Sequence, residues 1–122
     1  MWRKLSSKLC FSKQAVEPIH LLPSGEYMIG VLTHHWAKPA KIEEARKLLD
    51  GNGVAQSKHA GYGTRQTMIS RADPTKITTL VTWDSNEIYD GWRASPARAV
   101  AMEGADELWS QPAASERFDM VD

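Results

Sequence analysis

The run from Thr78 to Pro96, Thr-Thr-Leu-Val-Thr-Trp-Asp-Ser-Asn-Glu-Ile-Tyr-Asp-Gly-Trp-Arg-Ala-Ser-Pro, restricts the fold more than any other stretch. Its β-branched residues form a strand that ends on the bulky Trp83. Asp84 and Glu87 stand at capping-box spacing, with Asp in place of the usual Ser or Thr, and favour a helix from about Asn86. Ser95-Pro96 opens a second helix, because proline fits the first helical position. A strand that hands over at once to two short helices belongs to a helix-covered sheet. It delivers the indole of Trp83 to the rim of that layer, where a flat ligand can lie.

At 122 residues the chain supports one packed core and not two. Hydrophobic residues at 42% and charged residues at 25% are ordinary for a folded domain and exclude a fibrous or disordered class. Fifteen basic and fifteen acidic side chains cancel, which removes the electrostatic footprint of a nucleic-acid binder. The single cysteine, Cys10, cannot close an intramolecular disulfide, so a reducing, cytoplasmic setting is expected. No apolar run approaches the roughly 18 residues of a transmembrane segment.

Residues 1–26 read as an N-terminal extension and linker ahead of a domain spanning 27–122. Arg3, Lys4, Lys8 and Lys13 are unopposed by acid up to Val16, and Trp2, Leu5 and Leu9 fall at helical spacing. The segment resembles a basic transit-type or membrane-surface helix, although a loosely held tail explains it as well, with Met28 as an alternative start. Pro18, Pro23, Ser24 and Gly25 mark the linker.

Within the domain, Tyr27 to Trp36 is a first strand with Ile29, Val31, Thr33 and His35 on one face and Leu32, His34 and Trp36 on the other. Pro39 opens a helix whose apolar stripe is Ile42, Ala45, Leu48 and Leu49. Gly51 and Gly53 are read as its end, with an irregular turn over Val54 to His59. Tyr62 to Arg71 is a second strand, joined through a turn at Pro74 to a third at Ile77 to Trp83 as an antiparallel hairpin. The Ser95-Pro96 helix turns Ala97, Val100 and Ala101 inward, and Arg117 to Val121 is the last strand. The order β-α-β-β-α-β, with the second helix broken in two, gives the α+β class. It is a ferredoxin-like antiparallel sheet with helices on one face. The uncovered face calls for a second copy of the chain, so a homodimer is expected.

These features resemble the antibiotic biosynthesis monooxygenases and their haem-degrading relatives, in the dimeric α+β barrel superfamily. The resemblance spans Met28 to Asp122 and rests on Leu-Thr-His-His-Trp in the first strand, Ala-Lys-Ile-Glu-Glu-Ala, Gly-Tyr-Gly, and Thr-Trp-Asp-Ser-Asn-Glu-Ile-Tyr with Trp92 and Ser95-Pro96. It implies a cofactor-independent monooxygenase that acts with dioxygen on a small quinol or phenol. In the quinol-type enzymes an Asn, Trp and Tyr line the pocket; Trp83 and Tyr89 match, and Thr79 stands where the Asn would be. In the haem-degrading branch the iron-binding His falls on Met102, and the first-strand Asn is replaced near Leu32 or Thr33. Haem is therefore the alternative cofactor rather than the leading one, and no metal site is expected.

Oxygenation of a quinol without a cofactor needs a base, donors for an oxyanion and a dry aromatic wall. His34 and His35 are the candidate bases, and since they alternate along a strand only one of them can face the pocket. Thr79, Trp92, Tyr62 and Arg65 are the candidate substrate contacts. Each has a plainer reading: Trp83, Trp92 and Tyr89 as packing, the histidines as surface or dimer contacts, Arg65 as a solvated strand charge. A non-catalytic ligand-binding or dimerisation domain is the remaining alternative. Pocket volume separates a site from a filled core.

Overall fold

The computed structural model describes residues 27–122, so the readings made for the basic N-terminal segment and linker lie outside the described residues. Strand β1 (Ile29–Ala37) leads into a 3-10 turn and helix α1 (Ile42–Ser57), followed by β2 (Tyr62–Ile69), β3 (Lys76–Trp83), α2 (Asn86–Arg93), α3 (Pro96–Ala101) and β4 (Trp109–Asp119). The four strands form one sheet in the order β2-β3-β1-β4, with every neighbouring pair antiparallel. This is the ferredoxin-like α+β arrangement expected from the sequence, with the β2-β3 hairpin in place. No helix among the described residues is long and apolar enough to cross a membrane.

Several local readings are corrected. Helix α1 does not stop at its glycines but runs to Ser57, absorbing most of the segment read as an irregular turn. Neither glycine has a positive φ, so nothing in the backbone ends the helix there. Ser85, not Asp84, caps α2: its Oγ accepts from the Ile88 N–H at 3.2 Å, the N-cap to N3 bond. Ser95 caps α3 in the same way through Arg98. Helix α3 does not bury Val100, which is 72% exposed, nor Ala97. Strand β4 begins at Trp109 rather than Arg117. Pro112 is accommodated because β4 is an edge strand, where a missing N–H costs no ladder bond.

The buried side chains form two apolar clusters. One gathers Ile29, Val31, Val81, Trp83 and Trp92; the other gathers Ala37, Ala45, Leu49, Ile77 and Leu108. Full burial of residues such as Ile77 and Leu49 contributes about 1.5–3 kcal/mol each. Between the clusters the inner face of the sheet turns polar. On β1 the inward series runs Ile29, Val31, Thr33, His35, Ala37, and on β3 it runs Ile77, Thr79, Val81, Trp83, with Thr33 directly opposite Thr79. The buried stripe of α1 changes in step, from Ala45 and Leu49 to Asn52 and Gln56. A polar band across an otherwise apolar interior is where the domain opens.

Candidate active site

A cavity of about 70 Å³ lies in that band, between the sheet and the helices. Thr33, His35, Thr79, Val31, Val81 and Trp83 supply its sheet wall, and Leu49, Asn52 and Gln56 of α1 supply its roof. Arg65 of β2, Tyr89 and Trp92 of α2, and Arg98 of α3 complete it. The volume holds a few waters, and is below the roughly 150 Å³ of an apolar cavity that admits benzene. A substrate ring therefore has to reach outward past Tyr89 and Arg98, both half-exposed.

Trp83 is completely buried rather than lying at a rim as the sequence suggested. It forms the centre of an aromatic cluster: Trp92 stacks on it at 6.0 Å and 25°, Tyr89 tilts against it at 5.6 Å, and Tyr62 meets it edge-on at 5.8 Å. Tyr89 is itself held between this indole and the guanidinium of Arg117, 4.7 Å from the phenol centroid, while Arg117 pairs with Asp90 at 2.7 Å. The helix that carries Tyr89 approaches closely because residue 61 is glycine. At φ 90° it packs against Ile88, whose side chain lies within 2.6 Å of where a Cβ would stand. His59, which carried no signal in the sequence, sits edge-on to both Trp83 and Trp92.

Two buried polar atoms of residues that line this space, the Trp83 Nε1–H and the Asn52 Oδ1, have no partner among the described residues, and neither is open to a water-sized group. Leaving such groups unpaired costs about 1–3 kcal/mol each.

His35 is the inward member of the histidine pair. Its Nδ1 lies 3.4 Å from the Ile77 carbonyl, a long bond in which only the ring nitrogen can donate, and this leaves Nε2 unprotonated. Burial lowers its pKa below the ordinary 6.5; the Ile77 bond opposes this, and the positive charges of Arg65 and of a protonated His34 reinforce it. The ring is therefore a neutral imidazole at pH 7. His34 points to the other sheet face, where its Nδ1 meets Thr78 Oγ1 at 2.8 Å, outside the cavity.

Arg65 is not the solvated strand charge that the sequence favoured. It is half-buried against α1, donating to Gln56 Oε1 at 2.6 Å and to the Leu49 carbonyl at 2.8 Å. Burial lowers its pKa, with Tyr62 and Asp50 opposing the shift, and a guanidinium remains charged. Gly53 makes this path available, since a Cβ there would stand 2.6 Å from Arg65 Nε. The glycine read as a helix stop is a seat for the arginine.

Of the sequence candidates, the cavity brings together Trp83, Tyr89, His35, Thr79, Trp92 and Arg65; Tyr62 supports Trp83 from behind, and His34 lies elsewhere. Asn52, Gln56 and Arg98 were missed. The first two were legible as polar residues continuing the buried stripe of α1, seven residues and eleven residues after Ala45. Arg98 carried no such signal. Met102, the position considered for iron ligation, does not line the cavity, and a porphyrin is far larger than the space present.

No protein-family model matches the sequence, and no curated protein does. Solved structures do. A protein of Chloroflexus aurantiacus J-10-fl, named provisionally as an antibiotic biosynthesis monooxygenase, superposes with a TM-score of 0.68 at 19% identity, covering 78% of this chain and 94% of that one. A Nitrosomonas europaea protein with the same provisional name gives 0.71 at 12% identity over 75% and 88%. A mutant of SnoaB, a cofactor-independent oxygenase from Streptomyces nogalater, gives 0.67 at 10% identity over 75% and 90%. With identities this low the likeness concerns architecture alone: the domain shares its α+β fold with these proteins.

Proposed function

We propose that the domain is a cofactor-independent monooxygenase acting on a small phenol or quinol with dioxygen. The observation that carries this reading is a cavity lined together by a neutral imidazole, two guanidinium groups and the indole of Trp83, whose N–H is unpaired among the described residues. His35 Nε2 takes the phenolic proton. The resulting oxyanion is stabilised by the indole N–H and the positive field of Arg65 and Arg98. The electron-rich ring then reduces dioxygen: a ring C–H carbon acquires a C–O bond as a hydroperoxide, which loses water to leave a carbonyl. The substrate supplies all four electrons, and one oxygen atom of dioxygen leaves as water.

Haem is the weaker alternative, since Met102, the position matching the iron ligand of the haem-degrading branch, does not line the cavity. Oxygen uptake in the presence of small quinols, without added metal or flavin, tests the proposal. Trp83→Phe keeps the ring area and removes only the donor, so a loss of about 10²–10³ in kcat is expected. Tyr89→Phe should cost less. Absence of uptake across a panel of mono- and bicyclic quinols would leave a binding domain.

A further inference from the structure

The charges around the cavity are unbalanced in a way that a phenolate alone does not correct. Arg65 and Arg98 line it, and among the described residues no aspartate or glutamate does. Arg65 spends its two bonds on neutral acceptors, an amide oxygen and a carbonyl. The guanidinium of Arg98 has no hydrogen-bond or ion-pair partner among the described residues; only its backbone N–H is engaged, at the α3 cap. Asp50, whose charge favours the cationic form of Arg65, is not among the lining residues and pairs with Arg46 at 3.5 Å. Once His35 has accepted a proton the site holds three positive groups against one oxyanion. Partly buried cations without counter-charge are unfavourable, and they favour a ligand that brings the missing charge. An arginine fork recognises a planar carboxylate in particular, and Arg65 retains three of its five N–H donors for that purpose.

Resting on the monooxygenase reading for its site but not for its turnover, we propose that the cavity recognises an aromatic hydroxy acid. A carboxylate of this ligand meets the guanidinium groups of Arg65 and Arg98.

The test is calorimetric titration of the full chain with gentisate, its isosteric amide gentisamide, and hydroquinone. Gentisate is expected to bind at least about tenfold more tightly than either neutral analogue at low salt, the advantage shrinking as salt rises. Arg98→Gln should reduce the ratio to about threefold or less by weakening gentisate more than gentisamide, and Arg98→Lys should keep part of it. Equal affinity for gentisate and gentisamide, no binding of either, or an unchanged ratio in Arg98→Gln would overturn the inference. An oxygen electrode separates the two claims. Tight, arginine-dependent gentisate binding without oxygen uptake supports the acid preference and defeats the oxygenase reading. Oxygen uptake with neutral quinols bound as tightly as gentisate does the reverse.

Discussion

The chemistry assigned to single residues turns on His35 and Arg65, one neutral and one charged in the same interior. Because burial depresses the His35 pKa below 6.5, the unfolded chain takes up a proton at that position before the folded one does. Stability contributed by this residue is therefore fully present above pH 6.5 and is lost as pH falls below it toward the depressed folded value. Thermal melts between pH 8 and pH 5 should show a steeper acid-side decline for the native chain than for His35→Gln. Identical slopes would mean that the ring is not desolvated. The same depression keeps Nε2 available as a base, so the acid limb of kcat/KM should lie below the ordinary imidazole range. Much of this was readable in sequence: alternation along β1 puts one histidine inward and one outward, and the inward set Ile29, Val31, Thr33, His35 is the observed one. Alternation does not reveal whether an inward histidine meets apolar wall or cavity, because that depends on α1.

At the scale of elements, the two glycines of α1 serve different ends. Nothing lies within 4 Å of a Cβ built at Gly51, which is exposed, whereas one at Gly53 meets the Arg65 side chain at 2.6 and 2.7 Å. Gly51→Ala should stabilise the domain by about 0.5–1 kcal/mol through helix propensity alone. Gly53→Ala gains the same propensity but displaces Arg65 from Leu49 and Gln56. With charged hydrogen bonds contributing about 1.5–3 kcal/mol each, a net loss of about 1–3 kcal/mol is expected in urea unfolding. If both variants stabilise equally, Arg65 is not seated as described. Glycine in a helical pattern reads as a stop when only local preference is considered, and here a long-range contact decides. The caps show the opposite case: Ser85 and Ser95 act entirely within four residues, so the starts of α2 and α3 were legible, with the Asp84 reading off by one position.

At the scale of the whole sheet, the order β2-β3-β1-β4 leaves one face without helices among the described residues. Leu32, His34, Trp36, Thr78 and Leu80 look out from it, flanked by Met68 and Phe118, both 43% exposed. The Lys76 ammonium lies over Trp36 at 5.8 Å, half-covering this surface without closing it. A second copy of the chain is the expected cover, and light scattering should return twice 13.6 kDa. A mass of one chain at micromolar concentration would contradict it. The architecture was readable because strand alternation, the Pro74 turn and the two Ser caps constrain topology jointly. The cavity was readable only in part, since its roof depends on which residues of α1 oppose Thr33 and Thr79.

The central claim, that this polar band within an aromatic-lined interior performs an oxygenation without a cofactor, is tested most directly by turnover of a small quinol under ¹⁸O₂. Protein stripped of metal and flavin should yield a product carrying one labelled oxygen atom, with the second in water, and Trp83→Phe should suppress both. Product free of label, or no product, would contradict it.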